Sequence, residues 1–393
     1  MTTAPLVVVG TGLAGWNLAR EFRKLDKERA LIVLSRDGGG FYSKPMLSNA
    51  LAGKKTAATL IMKSAAQMAA ELGATVHAHG EVEGIDVAAS TLRLRRQGDQ
   101  GSEGRIEAIT YGDLVLALGA DPIRLPLAGD AAAEVLSVND VDDYARFAER
   151  IEGAKRVALL GAGLIGCEFA NDLLARGIEP TVVDIADRPL GRLLPEAAAQ
   201  WMRQRLEAAG VKFRFGAAVQ AVDRAAQGLR LTLADGSAVE ADVVLSAVGL
   251  RPRVALAQAA GLAVGRGIVV DRRLATSAPH VHAIGDCAEV QGLSLPFVLP
   301  LMAQARALAA NLAGQTTDLV YPAMPVTVKT PASPTVVCPP PAGLAGTWQT
   351  QADEAGCAAL FHDASGALRG FAVMGAATAQ KQGLAARVPA LLA

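Results

Sequence analysis

The chain has 393 residues, with 38 basic and 38 acidic side chains and a formal net charge of zero. A nucleic-acid-binding surface usually needs a basic excess, and none is available. With 51% apolar and 19% charged residues, the composition excludes extended disorder and suits two to three folded domains.

Pro5 to Val9 is a short β-branched run, expected to form a buried parallel strand. Gly10-Thr11-Gly12-Leu13-Ala14-Gly15 follows at once. A helix is expected from Trp16 to Leu25 and a second strand from Ala30 to Leu34, ending in Ser35-Arg36-Asp37. Residues 74–94 read as short strands, and 95–105 as an exposed hairpin tip beside the basic residues Arg93, Arg95 and Arg96. Asp113 opens a strand that ends in the small-residue turn Ala117-Leu118-Gly119. Asp142, Asp143, Arg146, Glu149 and Arg150 read as a solvated helical face.

The opening pattern then recurs. A strand from Lys155 to Leu160 leads into Gly161-Ala162-Gly163-Leu164-Ile165-Gly166, a helix from Cys167 to Arg176 and a strand from Glu179 to Asp184. Strands are expected again over 211–233, with Ala234-Asp235-Gly236 as a hairpin turn. Two further strand ends carry Gly249 and the pair Gly285-Asp286. Residues 322–341 hold seven prolines around the strands Val326–Val328 and Thr335–Val337. A strand pair at Cys357–His362 and Leu368–Met374 completes a small α+β domain.

A G-x-G-x-x-G motif carries meaning only between a strand and a helix, and both copies stand there. The first glycine permits the sharp turn, the second lets the backbone approach a diphosphate, and the third lets helix and strand pack closely. The helix N-terminus adds free N–H groups and partial positive charge. An acid ending the following strand suits ribose hydroxyls and repels a 2′-phosphate. Asp184 has that place in the second copy and favours NAD over NADP, although Arg188 stands nearby. In the first copy Asp37 or backbone groups could take the role. The expected class is α/β: two Rossmann-like dinucleotide-binding domains, glutathione-reductase-like, plus a small C-terminal α+β domain. The first fold is expected in two segments, 1–118 and 246–320, with the second over 119–245 and the C-terminal domain over 321–393.

Four cysteines, Cys167, Cys287, Cys338 and Cys357, form no C-x-x-C pair and no disulfide framework. Cys167 and Cys287 are read as small buried apolar residues. His77 with His79 and His280 with His282 are expected as pairs on one strand face, without further ligands at metal spacing. No metal site is expected. The N-terminus lacks a basic region and a long apolar run, and no stretch approaches 18 apolar residues, so a cytoplasmic protein without membrane insertion is expected.

The order of these segments resembles the two-dinucleotide-fold flavoprotein reductases. That resemblance implies FAD on the first fold, NAD(P)H on the second (NADH by the reading of Asp184), and Asp286 on the flavin's ribityl chain. Disulfide reductases of this kind carry cysteines beside the flavin. Here the region reads Phe41-Tyr42-Ser43-Lys44-Pro45-Met46-Leu47-Ser48 and has none. Electron transfer to an external carrier remains. Within the family the chain is most similar to the rubredoxin–NAD reductases, through residues 42–48, 163–172, 246–253, 285–289 and, most distinctively, Met324-Pro325-Val326-Thr327-Val328-Lys329-Thr330-Pro331.

The resemblance implies that Lys44, Val82, Glu168, Asp286, Val298 and Lys329 lie on the FAD, and that a small acidic rubredoxin docks transiently. It implies a pathway of alkane hydroxylation or oxygen defence. Lys44, followed by Pro45, would place a cation near the flavin N5 or O4. Glu168 would face the nicotinamide or Lys44, unless it is only an acid favoured in the first turn of a helix. Lys329, in an apolar proline-fenced strand, needs a partner, either the flavin edge or a carboxylate. Two rivals stand beside this reading: a reductase for a [2Fe–2S] ferredoxin of an oxygenase, and a flavoprotein that only senses NADH.

Overall fold

The computed structural model describes residues 4–96 and 105–393. Leu6, Val7 and Val8 are completely buried, as a central parallel strand covered on both faces requires. Leu6–Val9 pairs in parallel with Leu31–Leu34 on one side and Asp113–Leu116 on the other. Thr75–His77 and Val281–Ala283 extend this sheet to five parallel strands. The last of these comes from far along the chain, after a second sheet has been built.

That second sheet has four parallel strands, in the order Lys212–Phe215, Glu179–Asp184, Arg156–Leu160 and Val243–Ser246. The chain passes between the two sheets through one antiparallel ribbon, Ala120–Pro122 with Leu250–Pro252. Each sheet is accompanied by a three-stranded antiparallel one, Gly80–Asp86 with Thr91–Arg96 and Ile106–Thr110, and Val219–Arg224 with Leu229–Leu233 and Ala238–Ala241.

The helices after the glycine motifs run Leu13–Leu25 and Leu164–Leu174, three residues earlier than expected from the sequence. Gly12 and Gly163 are the extended N-cap residues, so the third glycine of each motif already lies in the first turn. Leu13–Leu25 packs against the Ala-rich helix Val298–Leu312.

The C-terminal part is a five-stranded antiparallel sheet in the order Val326–Val328, Thr335–Cys338, Leu368–Gly375, Gly356–Asp363 and Gly346–Ala352. The strand Gly346–Ala352 was not expected. It is a largely exposed edge strand of mostly polar sequence, so no apolar alternation announces it. Val328, Val337, Ala359 and Met374 join the core of the second parallel sheet. Trp201 Nε1 donates to the Asp353 carbonyl at 2.8 Å across the same boundary.

Neither histidine pair shares a strand. His79 (φ 54°) and His280 (φ 59°) are both left-handed, and only His77 and His282 are strand residues. Most of the expected 95–105 hairpin tip lies outside the described residues. Arg95 and Arg96, expected in that tip, lie instead in strand Thr91–Arg96, which pairs with Ile106–Thr110; Arg95 pairs with Glu83 and Arg96 with Glu107. Asp143 pairs with Arg146 and Arg150 with Glu134 on the exposed face of helix Val141–Arg150. Among the described residues, no helix is long and apolar enough to cross a membrane.

Candidate functional site

Both glycine turns have the same steric logic. Gly10 and Gly161 adopt φ of 114° and 104°, where a side chain is strained. A Cβ on Gly15 or Gly166 would sit 1.9 Å from the carbonyl oxygen of Gly10 or Gly161, so the third glycine is required for packing. A Cβ on Gly12 or Gly163 would meet nothing within 4 Å. The second glycine therefore faces open space at a helix N-terminus, which suits a diphosphate.

The strand ends beside the turns carry polar groups. In the first fold, Thr11 and Ser35 share a hydrogen bond of 2.5 Å. The Asp37 carboxylate accepts from Ser35 Oγ at 2.6 Å and Gly39 N at 2.8 Å, so it is turned onto its own loop. Arg36 is exposed, 3.9 Å from Asp140. In the second fold, Asp184 accepts from Ala162 N at 2.5 Å and Ala186 N at 2.8 Å, which ties the strand end to the glycine turn. Arg188 pairs with Asp187 at 3.0 Å.

The carboxyl edge of the first sheet gathers the remaining candidates. Leu13 and Ala14 open the helix after the first turn, as Leu164 and Ile165 do after the second. Ala117, Leu118 and Gly119 follow strand Asp113–Leu116, and Gly285-Asp286 form a 3-10 turn after strand Val281–Ala283. Gln304 fixes that turn: its Oε1 accepts from Gly285 N at 2.6 Å and its Nε2 donates to Tyr321 Oη at 2.7 Å. Arg253, four residues after Gly249, donates to the Leu118 carbonyl at 2.7 Å. Val298 is the first residue of its helix and is partly exposed. Val82 packs against the first core on a strand whose Gly80 N donates to the Ser35 carbonyl at 2.8 Å.

Lys44 and Pro45 open the 3-10 turn Lys44–Asn49. Lys44 Nζ donates to Asn139 Oδ1 at 2.7 Å, and Asn139 Nδ2 donates to the Ala120 carbonyl at 3.0 Å. Burial lowers the proton affinity of Lys44, and the field of Asp286 opposes that shift. Burial likewise pushes the Asp286 carboxyl up, against the fields of Lys44 and Arg253. Among the described residues the Asp286 carboxylate has no hydrogen-bond partner, which leaves it free for a hydroxyl.

Glu168 is fully buried, on the second turn of helix Leu164–Leu174 rather than the first. It does not pair with Lys44. Its carboxylate accepts from Ser48 Oγ at 2.5 Å, from Lys329 N at 2.8 Å and from Lys329 Nζ. Of the two partners expected for Lys329, the protein supplies the carboxylate. This ion pair brings the second fold, the Lys44 loop and the C-terminal sheet to one point.

The four cysteines are free and buried. Burial pushes the Cys287 thiol up to about 11 and that of Cys167 higher still, so neither offers a thiolate at neutral pH. Among the described residues no cluster could hold a metal ion. Asn139, Asn171, Asp172 and Gln304 were missed in the sequence. Only Gln304 carries a local signal, as a buried polar residue in an Ala-rich helix.

The family model described as pyridine nucleotide-disulphide oxidoreductase matches residues 4–310, and that described as rubredoxin binding C-terminal domain matches 318–388. The chain is 49% identical to the rubredoxin-NAD(+) reductase of Alcanivorax borkumensis over 99% of each chain. It is 44% identical to that of Acinetobacter baylyi, over 97% of this chain and 96% of the relative. It is similar to the crystal structure of a ferredoxin reductase from Rhodopseudomonas palustris, with a TM-score of 0.86 and 26% identity over 98% and 95% of the chains. Two glycine turns with open second positions, on two parallel sheets joined by one ribbon, thus accompany full-length similarity: the chain belongs to the pyridine nucleotide-disulphide oxidoreductase family, in its rubredoxin-NAD(+) reductase branch, and is an NAD(H)-linked flavoprotein oxidoreductase.

Proposed function

We propose that the chain binds FAD on residues 1–118 with 246–320, binds NADH on 119–245, and delivers electrons to a rubredoxin with the help of 321–393. The observation that carries this reading is the Lys329–Glu168 ion pair. A lysine from the segment matched by the rubredoxin-binding domain reaches a buried carboxylate on the helix that begins at the second glycine turn. FAD held on the first fold would supply the redox chemistry that links a two-electron nicotinamide donor to a one-electron carrier.

The chain's own residues bind, orient and charge the cleft. The turn Gly10–Gly15, with Thr11, Ser35 and either Asp37 or backbone groups, would hold the adenosine diphosphate end of FAD. Asp286, with a carboxylate left unbonded, would take a hydroxyl of the polyol. Ala117, Leu118, Gly119, Pro45, Val82 and Val298 would line the same cofactor. Lys44, held by Asn139, would keep positive charge near the ring, and Lys329 with Glu168 would close its far edge. Gly161–Gly166 with Asp184 would hold NADH, and Gly249 would turn the chain away from it. The neutralisation of Arg188 by Asp187 supports NADH over NADPH. Four free cysteines support a reducing, cytoplasmic setting.

The likeness to a ferredoxin reductase supports a second reading, with a [2Fe–2S] ferredoxin as acceptor. NADH-dependent cytochrome c reduction by the purified flavoprotein separates the two. Strong stimulation by added rubredoxin alone is expected. Stimulation by ferredoxin alone would move the partner, and stimulation by neither would refute both.

A further inference from the structure

Helix Leu164–Leu174 begins at the second glycine turn, so its position determines where the nucleotide sits. It also reaches out of its own fold at Glu168, Asn171 and Asp172. Glu168 meets Ser48 and Lys329. Asn171 Oδ1 accepts from Ala332 N, in the C-terminal part, at 3.0 Å. Asp172 is only 2% exposed, and its two oxygens accept from Leu51 N at 2.9 Å and Ala52 N at 2.8 Å. Those N–H groups lie just beyond the turn Lys44–Asn49.

A buried carboxylate is costly unless its oxygens are satisfied, and here each oxygen accepts one N–H bond; burial pushes this carboxyl up, and the bonds from Ala52 and Leu51 oppose that shift. Both bonds serve the loop of the first fold; the carboxylate has no other described hydrogen bond. Glu168 and Asp172 are four residues apart and stand one above the other on one helix face. Their contacts with Ser48 and with Leu51 and Ala52 therefore grip the loop at two points. Leu47, Ala50 and Leu51 bury their side chains in the core of the second fold, not the first. The loop that carries Lys44 is seated on the nucleotide helix.

We propose that Asp172 is a positioning residue for hydride transfer. It sets the distance between the helix that carries the nucleotide turn and the loop that carries Lys44. This rests on the flavin and NADH reading above. A carboxylate is needed because only it offers two acceptor oxygens to two N–H groups. Asparagine would offer one and set its own N–H₂ against the other donor.

The test is anaerobic stopped-flow reduction of the flavin by NADH in the purified holoproteins. It gives a limiting rate and an apparent Kd for the parent, Asp172→Asn, Asp172→Ser and Leu173→Ala. Leu173 is fully buried on the same helix and makes no such bonds, so L173A controls for lost stability. D172N and D172S should lower the limiting rate roughly tenfold or more, through misplaced reacting groups. Their Kd for NADH should stay within about twofold, because the loss is not in uniform binding. L173A should lower the thermal midpoint and leave the limiting rate near that of the parent. A parent-like limiting rate in either folded Asp172 variant, or equal slowing in L173A, overturns the positioning role. A parent flavin that NADH does not reduce overturns the underlying reading, and the positioning role with it.

Discussion

Lys44 and Asn139 form the most exposed test of the site at the level of single residues. The ammonium is largely taken from water, and among the described residues its side-chain hydrogen bond is to Asn139 Oδ1. Burial, the larger influence, makes the folded protein hold this proton less tightly than the unfolded chain does. Folding stability attributable to Lys44 therefore rises with pH between its folded value and the ordinary lysine range. If the charge assists hydride transfer, the rate of flavin reduction should fall at alkaline pH, below the ordinary lysine range. Asn139→Ala removes the acceptor and should move that limb to lower pH. Asn139→Asp adds a negative charge and should move it to higher pH. A limb that is the same in both variants would remove Lys44 from the role.

At the scale of the element, the two glycine turns separate binding from folding. Gly163 has open space over it and an extended backbone that alanine also adopts. Gly163→Ala should keep the thermal midpoint of the parent while raising the KM for NADH by about tenfold, since the added methyl would occupy the place proposed for the diphosphate. In Gly166→Ala the methyl would lie 1.9 Å from the Gly161 carbonyl oxygen. That variant should lose about 3 kcal/mol or more of stability by overpacking. Paired thermal melts and steady-state kinetics decide the point. Equal loss of stability in both would show that neither glycine is reserved for a ligand.

At the scale of the whole molecule, the Lys329–Glu168 pair joins parts 161 residues apart. Removing one partner strands the other. Lys329→Met leaves a fully buried carboxylate without its cation and should cost about 3–5 kcal/mol. The double variant Glu168→Gln with Lys329→Met should be less destabilised than K329M alone, because no charge is then left buried. Urea unfolding of the parent, the two single variants and the double variant measures the coupling. Additive losses would mean that the pair holds nothing together.

Most of the two parallel sheets could be read locally. The runs Leu6–Val9 and Thr181–Val183, the glycine spacings at 10–15 and 161–166, and the acid at Asp184 each encode a conformation within a few residues. Both helices nevertheless start earlier than their apolar pattern suggests, because an N-cap glycine has no side chain to mark it. The edge strand Gly346–Ala352 was illegible, because its pairing with Gly356–Asp363 rather than its own pattern makes it a strand. Asp172 and Asn139 were illegible for a related reason: an acid and an amide look like any solvated polar residue until their partners, the Ala52 N–H and the Lys44 ammonium, arrive from 120 and 95 residues away.

By itself the sequence determined the class of fold and the two glycine turns, which rest on short-range backbone geometry, and, through its resemblance, the family. Only the tertiary structure decided that Glu168 meets Lys329 rather than Lys44, that Lys44 rests on Asn139, and that the Lys44 loop is seated on helix Leu164–Leu174. Those choices depend on which buried polar groups find each other when separate parts of the chain exclude water together.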